Sequence, residues 1–192
     1  MTTVLPEEIT GQAAVGVPIA EPGVDAALEE LYDEHYVRLV RLAVLLLGDV
    51  GRAEEVVQDS FVAIYKRMLR MGSADFASNT PAYLRQTVVN RSRSVLRHLK
   101  VVSRHPSEAA APDEPGADHD LLSGVRRREV IDAMARLPRR QREVLALRYY
   151  LDLSEREIAE TLRISPGAVK SHASRGSAAL RATLSRLLEE KS

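Results

Sequence analysis

Ser154-Glu155-Arg156-Glu157-Ile158-Ala159-Glu160, followed after a short break by Ser165-Pro166-Gly167-Ala168-Val169-Lys170-Ser171-His172-Ala173-Ser174-Arg175, decides the fold of this chain. Ser154 with Glu157 three residues on is a capping box, and Ile158, Ala159 and Leu162 then lie on one side of a short helix. Ser165 can cap a second helix, and Pro166 suits its first position, where a missing N–H leaves no bond unmade. The spacing predicts a helix-turn-helix over Leu153–Leu180. Val169, Ala173 and Leu180 face inward on the second helix, so Lys170, Ser171, Ser174 and Arg175 face out. A donor-rich face of this kind can enter a DNA major groove. A plain helical hairpin with a solvated polar face would carry the same capping signals, so the rest of the chain has to decide.

The length of 192 residues allows one medium domain or two small ones. The chain has no Cys, and His35, His98, His105, His119 and His172 are too scattered for a metal site, which argues against zinc and disulfide scaffolds. The longest strongly apolar run, Leu42 to Leu47, is far too short to span a bilayer. With no leader-like start, a soluble cytoplasmic protein without membrane insertion is expected.

The zero net charge conceals a partition along the chain. Residues 1–34 hold eight acids and no Lys or Arg, whereas residues 35–100 hold eleven bases and five acids. Residues 101–124 hold one base and five acids, and residues 125–192 fifteen bases and nine acids. Two basic blocks alternating with two acidic ones fit two polyanion-binding modules and two solvated segments.

Residues 1–27 have the Pro, Gly and acid content of a disordered acidic arm. Tyr36, Leu39, Val40, Ala43, Leu46 and Leu47 predict a long helix beginning near Leu28 and ended by Gly48. A second helix is expected from about Arg52, with Val57, Phe61, Ile64, Tyr65 and Met68 inward. Pro81 opens a third, with Leu84, Val88, Val95 and Leu99 on its inner face. Residues 101–124 read as a flexible acidic linker. Beyond it, Val130, Met134 and Leu137 mark a helix stopping before Pro138, and Arg139–Tyr149 a helix carrying Val144, Leu145 and Tyr149. No window alternates at period two. The fold class is therefore all-α, with two small helical domains at 28–100 and 125–192.

Three surfaces can carry chemistry. The second helix shows an outward acidic cluster, Glu54, Glu55, Gln58 and Asp59, without the His, metal partner or pocket that catalysis needs, which leaves a solvated face or a dock for a basic partner. The third helix shows Gln86, Asn90, Arg93 and Arg97 in a polar stripe flanked by Thr87, Arg91 and Ser94, either groups that bond phosphates and base edges or a helix surface made soluble by its arginines. The loop before it, with Ser73, Asp75, Phe76, Ser78 and Asn79, could hold an unstacked base or be a plain connector.

In this order and spacing, the chain resembles bacterial RNA polymerase sigma factors of the sigma-70 family, in the extracytoplasmic-function (ECF) group, which contain only regions 2 and 4. The resemblance rests on Ala53-Glu54-Glu55-Val56-Val57-Gln58-Asp59-Ser60-Phe61, on Ala82-Tyr83-Leu84-Arg85-Gln86-Thr87-Val88-Val89-Asn90, and on Leu137-Pro138-Arg139-Arg140-Gln141-Arg142-Glu143-Val144-Leu145 with the helix-turn-helix. It implies a non-catalytic, cofactor-free subunit, monomeric when free, that binds core RNA polymerase at the β′ coiled coil and β flap and opens promoter DNA. An anti-sigma factor is a further partner of the kind such proteins have. Glu54, Glu55, Gln58 and Asp59 would dock on polymerase. Asn90, Thr87, Gln86 and Met71 would contact the −10 element, with Arg91, Arg93 and Arg97 on phosphates. Lys170, Ser171, Ser174 and Arg175 would read the −35 element, with Arg148, Ser165 and His172 nearer the DNA backbone. The acidic linker would pass through the polymerase and mimic nucleic acid. Tyr83 stands where relatives usually carry Trp and Ser94 where they often carry Asp, so the details of −10 contact do not transfer; His172, Ala173 and Ser174 depart from many relatives on the recognition helix, so the −35 preference does not transfer either. Two other readings fit the residues: a self-sufficient DNA-binding regulator, and an adaptor whose basic helices bind partner helices.

Overall fold

The computed structural model describes residues 22–71, 80–102 and 125–189. Among the described residues, seven α-helices run in the order α1 (Pro22–Leu47), α2 (Val50–Met71), α3 (Thr80–Val102), α4 (Val125–Ala135), α5 (Arg139–Leu145), α6 (Glu155–Leu162) and α7 (Pro166–Glu189), with a π-helical turn at Ala146–Tyr150 between α5 and α6. No strand occurs among the described residues. Residues 1–21, most of the acidic linker (103–124) and the polar loop 72–79 lie outside them.

Helix α1 starts at Pro22, six residues before the expected Leu28, so residues 22–27 are helical rather than part of a disordered arm. The reason is packing. Val24 is 1% exposed, and Asp25 sits in the first turn, where a carboxylate complements the helix dipole and also accepts the Tyr65 hydroxyl hydrogen at 3.1 Å. Gly48, at φ +78°, ends α1 as the sequence suggests, its N–H donating to Val44 O at 2.7 Å in a left-handed cap that other residues resist.

α1 is buried more completely than one amphipathic stripe provides. Leu39, Val40, Ala43 and Leu46 are buried as expected, and so are Leu42 and Val44. Both sides are used because α1 packs on α2 and α3 and also on α4, α5 and the π turn. In α2 the core side chains are Val56, Val57, Phe61, Ile64 and Met68; in α3 they are Leu84, Val88 and Val89. Tyr32 stacks on Tyr36 with ring centroids 4.5 Å apart, and both lean on Phe61.

The C-terminal helices correct two expectations. Val130 is 38% exposed while Ile131 is buried, because α4 turns its Ile131–Met134 side to the core. Tyr149 is 68% exposed rather than inward. The change from α5 to the wider π turn after Leu145 buries Ala146 and Leu147 and swings Tyr149 outward, its hydroxyl 3.4 Å from Ser177 Oγ.

Arg142 ties the two ends of the fold together. Its Nη1 donates to Leu46 O at 2.6 Å, near the end of α1, and its Nη2 to Ala135 O and Leu137 O at 2.9 and 3.2 Å in the α4–α5 turn. These carbonyls would otherwise be helix-end orphans. Burial pushes the guanidinium below the usual arginine pKa, and the neighbouring Glu143 carboxylate opposes that fall.

Candidate nucleic-acid interface

The helix-turn-helix forms as its residues dictate. Ser154 Oγ accepts the Glu157 N–H at 3.3 Å, while the Ser154 N–H and Oγ–H donate to Glu157 Oε2 at 2.9 and 2.7 Å. These bonds hold the Glu157 carboxyl below the usual carboxylate range. Ile158, Ala159 and Leu162 are buried, and Arg163 closes α6 in the left-handed region at φ 54°. Ser165 Oγ then accepts the Ala168 N–H at 3.2 Å, capping α7.

On α7, Val169 and Ala173 are buried and anchor the helix, leaving Lys170, Ser171, Ser174 and Arg175 exposed. Ser165 is exposed at the same end. Arg175 folds back on its own helix: Nε donates to Ser171 O at 3.3 Å and Nη2 to Ser171 Oγ at 3.0 Å. Glu155 stands between two of the expected contacts, 3.4 Å from Arg148 Nη2 and 3.6 Å from Lys170 Nζ. Such half-exposed pairs are worth about 0–1 kcal/mol, so a phosphate can displace them. His172 is half-buried with Nδ1 enclosed and unbonded, so it faces the domain interior more than a ligand.

At Gly176, α7 packs closely on α5. A Cβ there would lie 3.1 Å from Gln141 Cβ and 3.2 Å from Leu145 Cδ1, so glycine lets α7 approach α5. This approach fixes the outward face of α7 relative to α5.

The polar stripe of α3 divides into free and engaged groups. Asn90 and Arg97 are exposed, although Asn90 Oδ1 accepts an Arg93 N–H at 2.9 Å. Thr87 Oγ1 donates to Tyr83 O at 2.9 Å. Arg93 is turned to the C-terminal helices, with Nε 2.7 Å from Glu143 Oε1 and Nη2 2.9 Å from Glu143 Oε2. Gln86 Nε2 reaches Thr161 O at 3.5 Å. Arg91 pairs with Asp59 at 2.9 Å, so a DNA-contact candidate and a docking candidate neutralise each other. On α2, Glu55, Gln58 and Asp59 are exposed and Glu54 is half-buried. Met71 is the last residue of α2, and Ser73, Asp75, Phe76, Ser78 and Asn79 lie outside the described residues.

A family model described as "Sigma-70, region 4" matches residues 127–180, which contain this helix-turn-helix. Over 169 residues the chain is 34% identical to the ECF RNA polymerase sigma factor SigL of Mycobacterium tuberculosis, covering 84% of this chain and 91% of that protein. The chain belongs to the ECF RNA polymerase sigma factors. It is also 31% identical over 158 residues to the ECF sigma factor SigK of a Mycobacterium species, covering 80% of each. Two solved structures share the fold. One is CnrH in complex with the cytosolic domain of CnrY, with TM-score 0.60, 24% identity and coverage of 85% of this chain and 95% of that one. The other is the sigma factor RpoE of Bartonella quintana in complex with the anti-sigma factor NepR, with TM-score 0.61, 22% identity and coverage of 82% and 98%.

In this sigma factor the −10 and −35 candidates face different fates. The α7 group is exposed, whereas Gln86 and Arg93 of α3 are bonded to the C-terminal helices. The residue that sequence reasoning passed over is Glu143. It is 2% exposed, and Arg93, Arg139 and Arg140 lie 2.7, 3.7 and 2.8 Å from its carboxylate. One signal was available: a lone acid within Arg139-Arg140-Gln141-Arg142-Glu143. A buried charge needs paired neighbours, and those arginines supply them. None of the helices among the described residues is long and apolar enough to cross a membrane.

Proposed function

We propose that this sigma factor docks on core RNA polymerase through the acidic face of α2, reads the −35 element with α7, and reads and melts the −10 element with α3. The observation that carries the reading is the outward face of α7. Lys170, Ser171, Ser174 and Arg175 are exposed together on a helix anchored by Val169 and Ala173, within the stretch that matches sigma-70 region 4. These are groups that bond base edges and phosphates. Residues 28–100 would form the polymerase- and −10-binding domain, and residues 125–192 the −35-binding domain, with 101–124 as the acidic linker between them. The chain would act in the cytoplasm, where its polymerase is, as a non-catalytic subunit. An anti-sigma factor is a fitting partner, given that RpoE of Bartonella quintana is solved with one.

The packed arrangement adds a condition. Arg93 can hold a −10 phosphate only after leaving Glu143, and Gln86 only after leaving Thr161, so the N- and C-terminal helices have to separate when promoter DNA is engaged. Footprinting tests the whole reading: the chain with core polymerase protects a promoter and the chain alone does not. Specific protection by the chain alone would favour a self-sufficient regulator instead.

A further inference from the structure

A cleft of about 120 Å³ opens where the N- and C-terminal helices meet. His35 and Arg38 of α1, Arg85 and Pro81 of α3, and Leu151 and Leu153 before α6 line it. Its walls carry an excess of positive charge. Arg38 donates Nη2 to Leu151 O at 3.1 Å, a neutral acceptor that leaves its charge uncompensated. Arg85 is half-buried, and its Nε is enclosed without a hydrogen-bond partner.

Nearby carboxylates offset these charges only in part. Glu157 attracts Arg85 from outside ion-pair distance, its Oε2 accepting the Ser154 N–H and Oγ–H. Glu34 stands 3.7 Å from His35 Nε2 and is itself 70% exposed. Among the described residues neither Arg38 nor Arg85 has an ion pair with a carboxylate. Burial and the neighbouring Arg38 both push the Arg85 guanidinium below the usual arginine pKa, while Glu157 opposes them. Two guanidiniums line one partly apolar recess, and their planar forks match the oxygens of a phosphoryl anion. That volume is well above the roughly 10–15 Å³ that one water needs, so a phosphoryl group fits.

We propose that this cleft binds the phosphoryl dianion of a small ligand through Arg38 and Arg85, with His35 at its edge. The arginines belong to α1 and α3, and Leu151 and Leu153 of the C-terminal part close the other wall, so the enclosed recess exists only while the two parts are packed. By linkage a bound phosphoryl group favours the packed arrangement over the separated one. Phosphorylated metabolites would thereby oppose the opening that frees Arg93 and Gln86.

The test is titration of the full chain with inorganic phosphate by calorimetry, at ionic strength held constant with chloride. Arg85→Gln and Arg38→Gln are compared with Arg181→Gln, an exposed arginine on α7 away from the cleft. Saturable binding is expected for the wild type and Arg181→Gln, weakened about tenfold by loss of either cleft arginine. Should Arg85→Gln fail to fold, Arg38→Gln decides. The chain has no native cysteine, so labels at Val62→Cys and Arg181→Cys report the separation of the two halves. Phosphate should shift that distribution toward the short distance in the wild type and not in Arg38→Gln. Absence of saturable binding, or equal binding by the cleft variants and wild type, overturns the proposal. The measurement involves neither polymerase nor DNA, so its failure and a failure of promoter reading are separate results.

Discussion

Arg93 and Glu143 face each other across the contact between α3 and α5 in a two-pronged pair, with N–O distances of 2.7 and 2.9 Å. The Arg93 side chain is 15% exposed and that of Glu143 3%, so little water screens them. Removing Glu143 leaves Arg93 without its carboxylate and Arg139 and Arg140 repelling it. We expect Glu143→Ala to lower stability by about 1–3 kcal/mol in urea unfolding and to increase the radius of gyration in solution scattering. An unchanged midpoint and radius would show that the pair does not hold the halves together.

The capping box predicts a pH dependence. Ser154 lowers the Glu157 pKa, first through its side chain and then through its backbone N–H, so the folded value lies below the ordinary 4.5. A depressed carboxylate contributes stability that is present above the unfolded pKa and lost as pH falls through the folded one. Glu157→Gln should therefore narrow the stability difference between pH 7 and acid pH below 4.5, relative to the wild type. Ser154→Ala should cost about 1 kcal/mol at neutral pH. Thermal unfolding at a series of pH values checks both.

Gly176 and Gly167 make opposite predictions from the same helix. A side chain at 176 meets Gln141 and Leu145 at 3.1–3.2 Å, whereas at 167 the nearest atom is Ser165 Oγ at 4.0 Å. Gly176→Val should destabilise by about 1–3 kcal/mol through overpacking. Gly167→Ala should be neutral or stabilising by about 0.5 kcal/mol, because it restricts the unfolded chain without a clash. Equal effects would mean that α7 does not lie this close to α5.

The docking face on α2 is tested by charge reversal. Glu55 is exposed, so Glu55→Lys should leave the helix content unchanged while weakening capture of the chain by core polymerase. Full retention in a pull-down would remove this face from the interface.

Local features were legible in the sequence because their causes are local. Ser154 and Glu157 name a cap, Gly48 a stop, and Val169 with Ala173 the inner side of α7, and each forms as read. What was not legible depends on partners far away along the chain. Leu42 and Val44 are buried only because α4, α5 and the π turn cover a second side of α1. Arg93 reads as a free phosphate contact until Glu143, fifty residues later, is brought to it. Helical periodicity alone places Val130 and Tyr149 inward. The register of α4 and the π turn after Leu145 overrule that placement, since one residue of extra turn re-aims every following side chain. The motifs that carry the resemblance to sigma factors are short and contiguous, within α2, within α3, at the α4–α5 turn and across the α6–α7 turn, so they are legible without distant partners.

The most direct test of promoter reading is run-off transcription by core polymerase loaded with the wild type, Lys170→Ala or Arg175→Ala, over a set of −35 point variants. Promoter-dependent transcripts that require the chain are expected. Each substitution should cost about 1–3 kcal/mol and flatten the preference at one −35 position. No promoter-dependent transcript with wild type, or an unchanged preference profile in both variants, would contradict promoter reading.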